Sequence, residues 1–133
     1  MKSESELSEF IAAQRRQEQY AGLPLAGIRV IDMATVMAAP YAATLLGDYG
    51  AEVIKVENPS APDAIRGWGV VEDKGIQPFW AVVGRNKFPI TLNLKAAESR
   101  RILVDLIRQA DVFIENMRPG ALEKLGIGRV DLL

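Results

Sequence analysis

The chain has 133 residues, enough for one domain with a substantial core, and its 49% apolar and 25% charged residues are typical of a soluble protein. A net charge of −1 gives no indication of a nucleic-acid or membrane-surface partner, and no apolar run approaches the roughly 20 residues that cross a bilayer. Cysteine and histidine are absent, which excludes disulfides and thiolate catalysis, so we expect a cytoplasmic protein without a metal site.

The N-terminal stretch predicts a helix over residues 3–21. Ser3 and Glu6 have the spacing of a capping box, and the apolar residues that follow repeat on one face. We interpret residues 1–24 as a helical extension that packs on the domain or on a partner, and residues 25–133 as the domain itself.

A β-strand, a helix and a second strand are predicted next. Residues 28–33 form an apolar, β-branched run, Pro40 suits a helix start, Gly50 suits its end, and residues 51–57 alternate as a strand. Within the helix, apolar residues repeat at helical spacing at Ala42, Leu45, Leu46 and Tyr49. Such a unit of about 30 residues predicts parallel strands joined by a helix.

The rest of the chain continues this alternation. The predicted elements are a long loop at residues 58–78, a short helix and turn at 78–87, a strand at 89–94, a helix at 96–109 with Ile102, Leu103, Leu106 and Ile107 inward, a strand at 111–116, and a helix from Pro119 to Gly126. The predicted fold class is α/β, with a Rossmann-like, open, mostly parallel sheet and flanking helices.

Two turns carry possible ligand contacts, each with an ordinary alternative. Ala38 and Ala39 would let a ligand approach the backbone at a helix N-terminus, although many such turns bind nothing. Glu57 at a strand end is either a ribose acceptor or a solvated acid. Arg66, beside Trp68, is either part of an anion clamp or a surface ion pair with a tucked indole. The first turn lacks the G-x-G-x-x-G pattern of dinucleotide-binding proteins.

Basic residues recur around the later strands. Arg85, Lys87 and Lys95 flank the strand at 89–94, and Arg118 and Lys124 follow the last strand. Because the carboxyl ends of parallel strands meet at one edge of the sheet, the loops that follow them share that edge. Cations there suit a multiply phosphorylated ligand.

Four stretches together resemble the N-terminal part of the family III (CaiB/BaiF) CoA-transferases, which include formyl-CoA transferases and α-methylacyl-CoA racemases. They are "LAGIRVIDMATVMAAPYAATLLGDYGAEVIKVENP", "DAIRGWG", "NKFPITLNLK" and "ADVFIENMRPGALEKLGIG". They cover most of residues 25–128.

The resemblance implies that the ligand is coenzyme A and not a nicotinamide dinucleotide. The family's CoA contacts correspond to Met37, Ala38, Asn58, Leu92, Asn93, Leu94, Lys95, Asn116, Met117, Arg118 and Lys124. Two of these positions depart from the family, which often has arginine at both. Asn58 cannot pair with a phosphate by charge, and Lys124 keeps the charge but lacks the planar fork of arginine.

The resemblance also implies transfer of CoA from an acyl-CoA to a carboxylic acid. An aspartate would attack the acyl-CoA to give a mixed anhydride and then an aspartyl-CoA thioester. This nucleophile is expected beyond Leu133, so no catalytic residue is assigned, the segment is interpreted as truncated, and the chain alone is expected to be inactive. An acyl-CoA racemase or isomerase and a non-catalytic CoA-binding module stay open as alternatives. The expected assembly is an interlocked homodimer or a complex with other chains.

Overall fold

A sheet of four parallel strands lies at the centre of the computed structural model, which describes residues 20–70, 75 and 77–128. The strands are β1 (Arg29–Asp32), β2 (Glu52–Glu57), β3 (Lys87–Thr91) and β4 (Val112–Ile114), in the order β3-β2-β1-β4 with every pairing parallel. This is the order of the first four strands in doubly wound nucleotide-binding sheets. The predicted α/β fold with an open parallel sheet is therefore confirmed.

In the described part of the chain, three α-helices and one 3-10 helix lie between these strands, and a fourth α-helix follows β4. They are α1 (Ala38–Asp48), the 3-10 helix (Ala64–Gly67), α2 (Pro78–Val83), α3 (Ala97–Arg108) and α4 (Ala121–Lys124). Among the described residues, no helix combines the length and apolar character needed to span a bilayer. The predicted helix at 3–21 falls almost entirely outside the described residues.

Each face of the sheet packs on a different helix. On one face, Ile31, Ile54 and Val56 form the main core with Leu103 and Leu106 of α3. On the other face, the smaller core is Val30, Ala43, Ala51 and Val53, in which Ala43 belongs to α1. The alternation of side chains along β1 and β2 produces this division. The predicted inward positions of α3 are buried at Leu103, Leu106 and Ile107, and Ile102 packs partly buried against them.

Helix α1 differs from its prediction in its start and in its buried face. It begins at Ala38, and Pro40 is its third residue, where a missing N–H still costs no intrahelical bond. The buried face consists of small residues, and Leu45 and Tyr49 are exposed. A Cβ on Gly47 would lie 3.3 Å from Cγ2 of Val53, so α1 lies too close to the sheet for large side chains.

Three later elements also differ from their predicted bounds. Strand β3 covers Lys87–Thr91 instead of residues 89–94, because Asn93 begins a turn in which its backbone oxygen accepts from the Ala96 N–H at 2.9 Å. Helix α4 begins at Ala121 and not at Pro119. Gly120 has φ 80° and ψ 0°, and the Ala121 N–H donates to the Arg118 oxygen at 3.0 Å, as in a type II turn. The predicted loop at 58–78 contains the 3-10 helix.

Four charged side chains are buried together on the α1 face, and we call Asp32, Lys55, Asp63 and Lys87 the buried charge cluster. Nζ of Lys55 lies 3.5 Å from Oδ1 of Asp32 and 3.5 Å from Oδ2 of Asp63, and Nζ of Lys87 lies 2.8 Å from Oδ2 of Asp32. All four side chains are at most 2% exposed. Burial lowers the pKa of Lys87, and the hydrogen bond that Lys87 donates to Asp32 acts in the opposite direction. Two acids and two lysines leave the cluster neutral, which offsets the cost of burying each charge.

Replacing Lys87 with Met should lower the free energy of unfolding by about 3 kcal/mol, because Asp32 would stay buried with an uncompensated charge. The double variant Asp32→Asn/Lys87→Met should lose less than the single variant, since Lys55 and Asp63 then form a neutral pair. Urea unfolding followed by circular dichroism measures both values. A double variant less stable than Lys87→Met would contradict electrostatic coupling between the two side chains.

Candidate functional site

A pocket of about 370 Å³ lies at the carboxyl edge of the sheet. Residues that follow all four strands contribute to it. Its lining comprises Met33, Ala34, Thr35, Val56, Glu57, Asn58, Ala61, Asp63, Leu92, Leu94, Lys95, Asn116, Met117 and Leu125. The chain passes from β1 to β2 on one side of β1 and returns to β4 on the other side. The pocket therefore lies at the topological switch point, where open α/β sheets bind ligands.

Six of the eleven residues predicted to contact a ligand line this pocket. They are Asn58, Leu92, Leu94, Lys95, Asn116 and Met117. The remaining five lie outside the lining: Met37 and Ala38 at the start of α1, Asn93 in the turn after β3, Arg118 before α4, and Lys124 at its end. No side chain caps the N-terminus of α1, so its first N–H groups have no side-chain acceptor.

The side chain of Asn116 connects the ends of β1 and β4. Its Oδ1 accepts from the Thr35 N–H at 2.9 Å, and its Nδ2 donates to the Thr35 carbonyl at 2.8 Å. An amide side chain suits this position because it offers a donor and an acceptor side by side. Asn116 therefore fixes one wall of the pocket, with one N–H still available to a ligand.

The other two predicted asparagines also shape their own turns. Oδ1 of Asn58 accepts from the Ser60 N–H at 3.0 Å, and Oδ1 of Asn93 accepts from the Lys95 N–H at 3.2 Å. Side chains of this type commonly bond to the backbone two residues later in loops. Each asparagine thus orients a loop that follows a strand.

Glu57 and Arg66 form an ion pair with each other. Glu57 is therefore not free to accept from a ribose, and Arg66 is not free to bind an anion. Both Glu57 oxygens accept from the Arg66 guanidinium at 2.9 Å, and Glu57 is 8% exposed. The guanidinium carbon lies 3.5 Å from the centre of the Trp80 ring, while Trp68 contacts Phe79 edge to face. Arg66 thus forms an ion pair, which was the alternative to an anion clamp. Two details differ from that alternative: the acid is buried, and the indole that Arg66 covers is Trp80 and not Trp68.

The cations divide into those bound within the fold and those without a partner. Arg85 pairs with Asp48 at 2.5 Å at the far end of α1, and the Arg85 guanidinium lowers the pKa of that carboxyl. Lys87 belongs to the buried charge cluster. Neither lies at the mouth of the pocket, which corrects the interpretation of both as ligand-facing cations.

Three other cations have no acidic partner among the described residues. Within the part of the chain that the structure describes, the side chains of Lys95, Arg118 and Lys124 have no hydrogen-bond or ion-pair partner. All three residues are exposed, and Lys95 lines the pocket. Free cations in the segments that follow β3 and β4 suit a ligand with more than one phosphate group.

Eight pocket residues were not among the eleven predicted contacts, although Glu57 was considered as a possible ribose acceptor. They are Met33, Ala34, Thr35, Val56, Glu57, Ala61, Asp63 and Leu125. Position at the carboxyl ends of β1 and β2 is a signal that could have identified the first five. Asp63 and Leu125 reach the pocket through the folding of a loop and a short helix, which no spacing in the sequence indicates.

The pocket combines an apolar interior with a basic edge. Met33, Leu92, Leu94 and Met117 supply apolar contact area, and Lys95 supplies positive charge. Its acids are neutralised, because Glu57 is bound by Arg66 and Asp63 lies beside Lys55. Chemically, this arrangement can hold an elongated ligand with an apolar part and an anionic part.

Known proteins with similar sequences are CoA-transferases. The chain is 54% identical over 106 residues to the succinyl-CoA–L-malate CoA-transferase beta subunit of Chloroflexus aurantiacus, covering 80% of this chain and 26% of that protein. It is 43% identical over 109 residues to the succinyl-CoA:glutarate CoA-transferase of Mus musculus, covering 82% and 25%. The chain thus spans about a quarter of the length of the curated relatives it matches.

The fold agrees with solved structures. A CaiB/BaiF family protein from Brucella suis superposes with a TM-score of 0.75 at 35% identity, over 83% of this chain and 30% of that one. The sequence model described as CoA-transferase family III matches residues 25–133. By sequence and by fold, the chain belongs to CoA-transferase family III.

Proposed function

We propose that this chain binds coenzyme A at the pocket and forms the nucleotide-holding part of an enzyme that moves CoA from an acyl-CoA to a carboxylic acid. The observation that carries this proposal is the group of three unpartnered cations, Lys95, Arg118 and Lys124, beside an apolar pocket at the switch point. In this proposal the cations pair with phosphate oxygens of CoA. Apolar pocket residues contact the pantetheine arm.

The turn before α1 completes this proposed site. The free N–H groups at Met37 and Ala38 would donate to polar oxygens of the ligand, with the positive end of the helix dipole behind them. Asn93 would contribute through its turn, and Asn116 through its remaining N–H.

The chemical step in this proposal is covalent catalysis by an aspartate. Its carboxylate attacks the thioester carbonyl of the donor, the C–S bond breaks, and CoA leaves as a thiolate from a mixed anhydride. The thiolate then attacks the aspartyl carbonyl, which releases the donor acid and forms an aspartyl-CoA thioester. The acceptor carboxylate attacks that thioester, which expels CoA thiolate and forms a second mixed anhydride. The thiolate then attacks the acceptor carbonyl of this anhydride, which gives the CoA thioester of the acceptor and regenerates the aspartate.

The nucleophile in this mechanism is expected beyond Leu133. The two acids of the pocket, Glu57 and Asp63, already face cations, which supports this expectation. The names of the Chloroflexus and mouse relatives favour transfer of CoA over racemisation.

Titration calorimetry at low ionic strength tests the ligand. CoA should bind more tightly than NAD, and changing Lys95, Arg118 or Lys124 to Ala should each weaken CoA binding roughly 5-fold, since an exposed charge-assisted contact contributes about 1 kcal/mol. The affinity should fall as salt increases. Arg108→Ala is the matched control, because Arg108 is an exposed cation near the C-terminus of α3 and should leave the affinity unchanged. Preference for NAD would contradict the proposal.

A second test concerns Asn58, where the family often has arginine. Asn58→Arg should raise the affinity for CoA about 5-fold at low salt by adding a cation at the pocket, and the gain should shrink as salt is added. Asn58→Gln, which is longer but neutral, serves as the control for size. Equal affinities of the Arg and Gln variants would show that no phosphate lies near position 58.

We further propose that the chain associates with a second copy through the outer face of α1. Four large side chains repeat there every four residues with exposures of 37% for Met37, 40% for Tyr41, 40% for Leu45 and 58% for Tyr49. A row of this kind on a helix surface is typical of an interface. The Chloroflexus relative is itself named as a subunit.

Light scattering over a concentration series measures this association. The wild-type chain should be dimeric at tens of micromolar, and Leu45→Glu should shift it toward the monomer while it stays folded, because Leu45 is exposed and lies outside both cores. Gln109→Glu, at the C-cap of α3, is a control for the added charge. A wild-type chain that is monomeric throughout would refute the proposal.

A further inference from the structure

The backbone of the turn between β1 and α1 is strained at Val36. Its φ is 72°, in the left-handed region that β-branched residues rarely adopt. Such a conformation persists only where the surroundings hold it, and it is most common near functional sites. Its neighbour Thr35 lines the pocket, and on its other side Met37 is the N-cap of α1, which begins at Ala38.

The side chain of Asp63 holds this strained residue. Its Oδ1 accepts from the Val36 N–H at 2.9 Å and from the Ile65 N–H at 3.2 Å. One carboxylate oxygen therefore ties the turn after β1 to the 3-10 helix, 27 residues further along the chain. Asp63 is only 2% exposed, so water does not compete strongly for these bonds.

Lysines of the buried charge cluster hold the rest of the same turn. Oδ2 of Asp63 has no hydrogen-bond partner and lies 3.5 Å from Nζ of Lys55, which donates to the Ala34 carbonyl. Lys87 donates to the Pro40 carbonyl at 2.6 Å. Backbone groups of Ala34 and Val36 in the turn, and of Pro40 in the first turn of α1, thus all bond to members of one neutral cluster.

We infer that Asp63 is a positioning residue, which holds Val36 in its left-handed conformation and thereby sets the turn that presents Thr35, Met37 and Ala38 to the ligand. The effect on CoA affinity rests on the proposed function, whereas the effect on the turn does not. The competing interpretation is that Asp63 only caps the 3-10 helix and contributes general stability. The two interpretations differ in whether a substitution at position 36 can reverse the effect of removing the Asp63 carboxylate.

The substitution Val36→Gly separates these interpretations. Glycine adopts positive φ without steric cost, so a turn with Val36→Gly no longer needs the Asp63 oxygen to hold it. Asp63→Ala should weaken CoA binding about 10-fold, and Asp63→Ala/Val36→Gly should recover at least 3-fold of that loss. If Asp63 acts only through stability, Val36→Gly recovers nothing. Asp48→Ala is the matched control, since it removes a paired acid at the other end of α1.

Amide hydrogen exchange measured by NMR tests the turn without any ligand. In Asp63→Ala, exchange of the Val36 amide should accelerate at least 10-fold, while the Tyr41 amide, bonded to the Met37 carbonyl inside α1, should keep its rate. Asp63→Asn, which retains an acceptor oxygen, is measured in parallel in case Asp63→Ala does not fold. It should keep the Val36 amide protected.

The outcomes are distinct. An unchanged Val36 rate in folded Asp63→Ala, loss of Val36 protection in folded Asp63→Asn, or absence of rescue by Val36→Gly would each overturn the inference. If the wild-type protein binds no CoA, the proposed function fails, and the exchange rates alone then decide whether Asp63 holds the turn. Accelerated exchange at Val36 with rescue of binding by Val36→Gly would establish the role.

Discussion

The candidate site depends on two lysines and two aspartates that are buried together on the α1 face of the sheet. Asp32 and Lys55 lie in paired register on β1 and β2, and Lys87 reaches Asp32 from β3. Removing one of these charges would leave another buried without compensation, which is among the most costly changes a core can undergo. The cluster therefore joins three strands and one loop into a single arrangement, and the backbone of the turn after β1 bonds to it.

The fold divides the positive charge of its described residues into cations that face an acid and cations that do not. Lys55, Lys87, Arg66 and Arg85 each face an acid and serve the fold. Lys95, Arg118 and Lys124 follow β3 and β4 and have no such partner in the described part of the chain. In the proposed function, the phosphates of the ligand pair with the second group. All of these residues are cations in the sequence. What distinguishes the two groups is whether the fold places an acid beside the cation.

Small residues explain how α1 approaches the sheet closely enough to take part. Ala43 and Gly47 face the sheet, so the helix axis lies near Val53 and the N-terminus of α1 is held beside the end of β1. The large side chains of α1 consequently face outward. The small residues on the buried face of α1 thus have two effects. They hold the N-terminus of α1 close to β1, and they leave the large apolar side chains of α1 exposed on the outer face.

The sequence by itself determined the parallel α/β fold, the approximate extent of β1, β2 and α3, and the group of loops that form the site. Period-two and helical patterns, with Gly50 as a helix end, were sufficient because burial of apolar faces enforces them locally. Only the tertiary structure decided which cations are free and that Asp63 belongs beside Val36. Those facts depend on side chains far apart in sequence, and a charged residue in a loop has the same local pattern whether it faces water, a ligand or a buried partner. The shift of β3, the late start of α4 and the outward face of α1 have the same physical origin, since strand pairing, turn hydrogen bonds and close packing overruled local preference there.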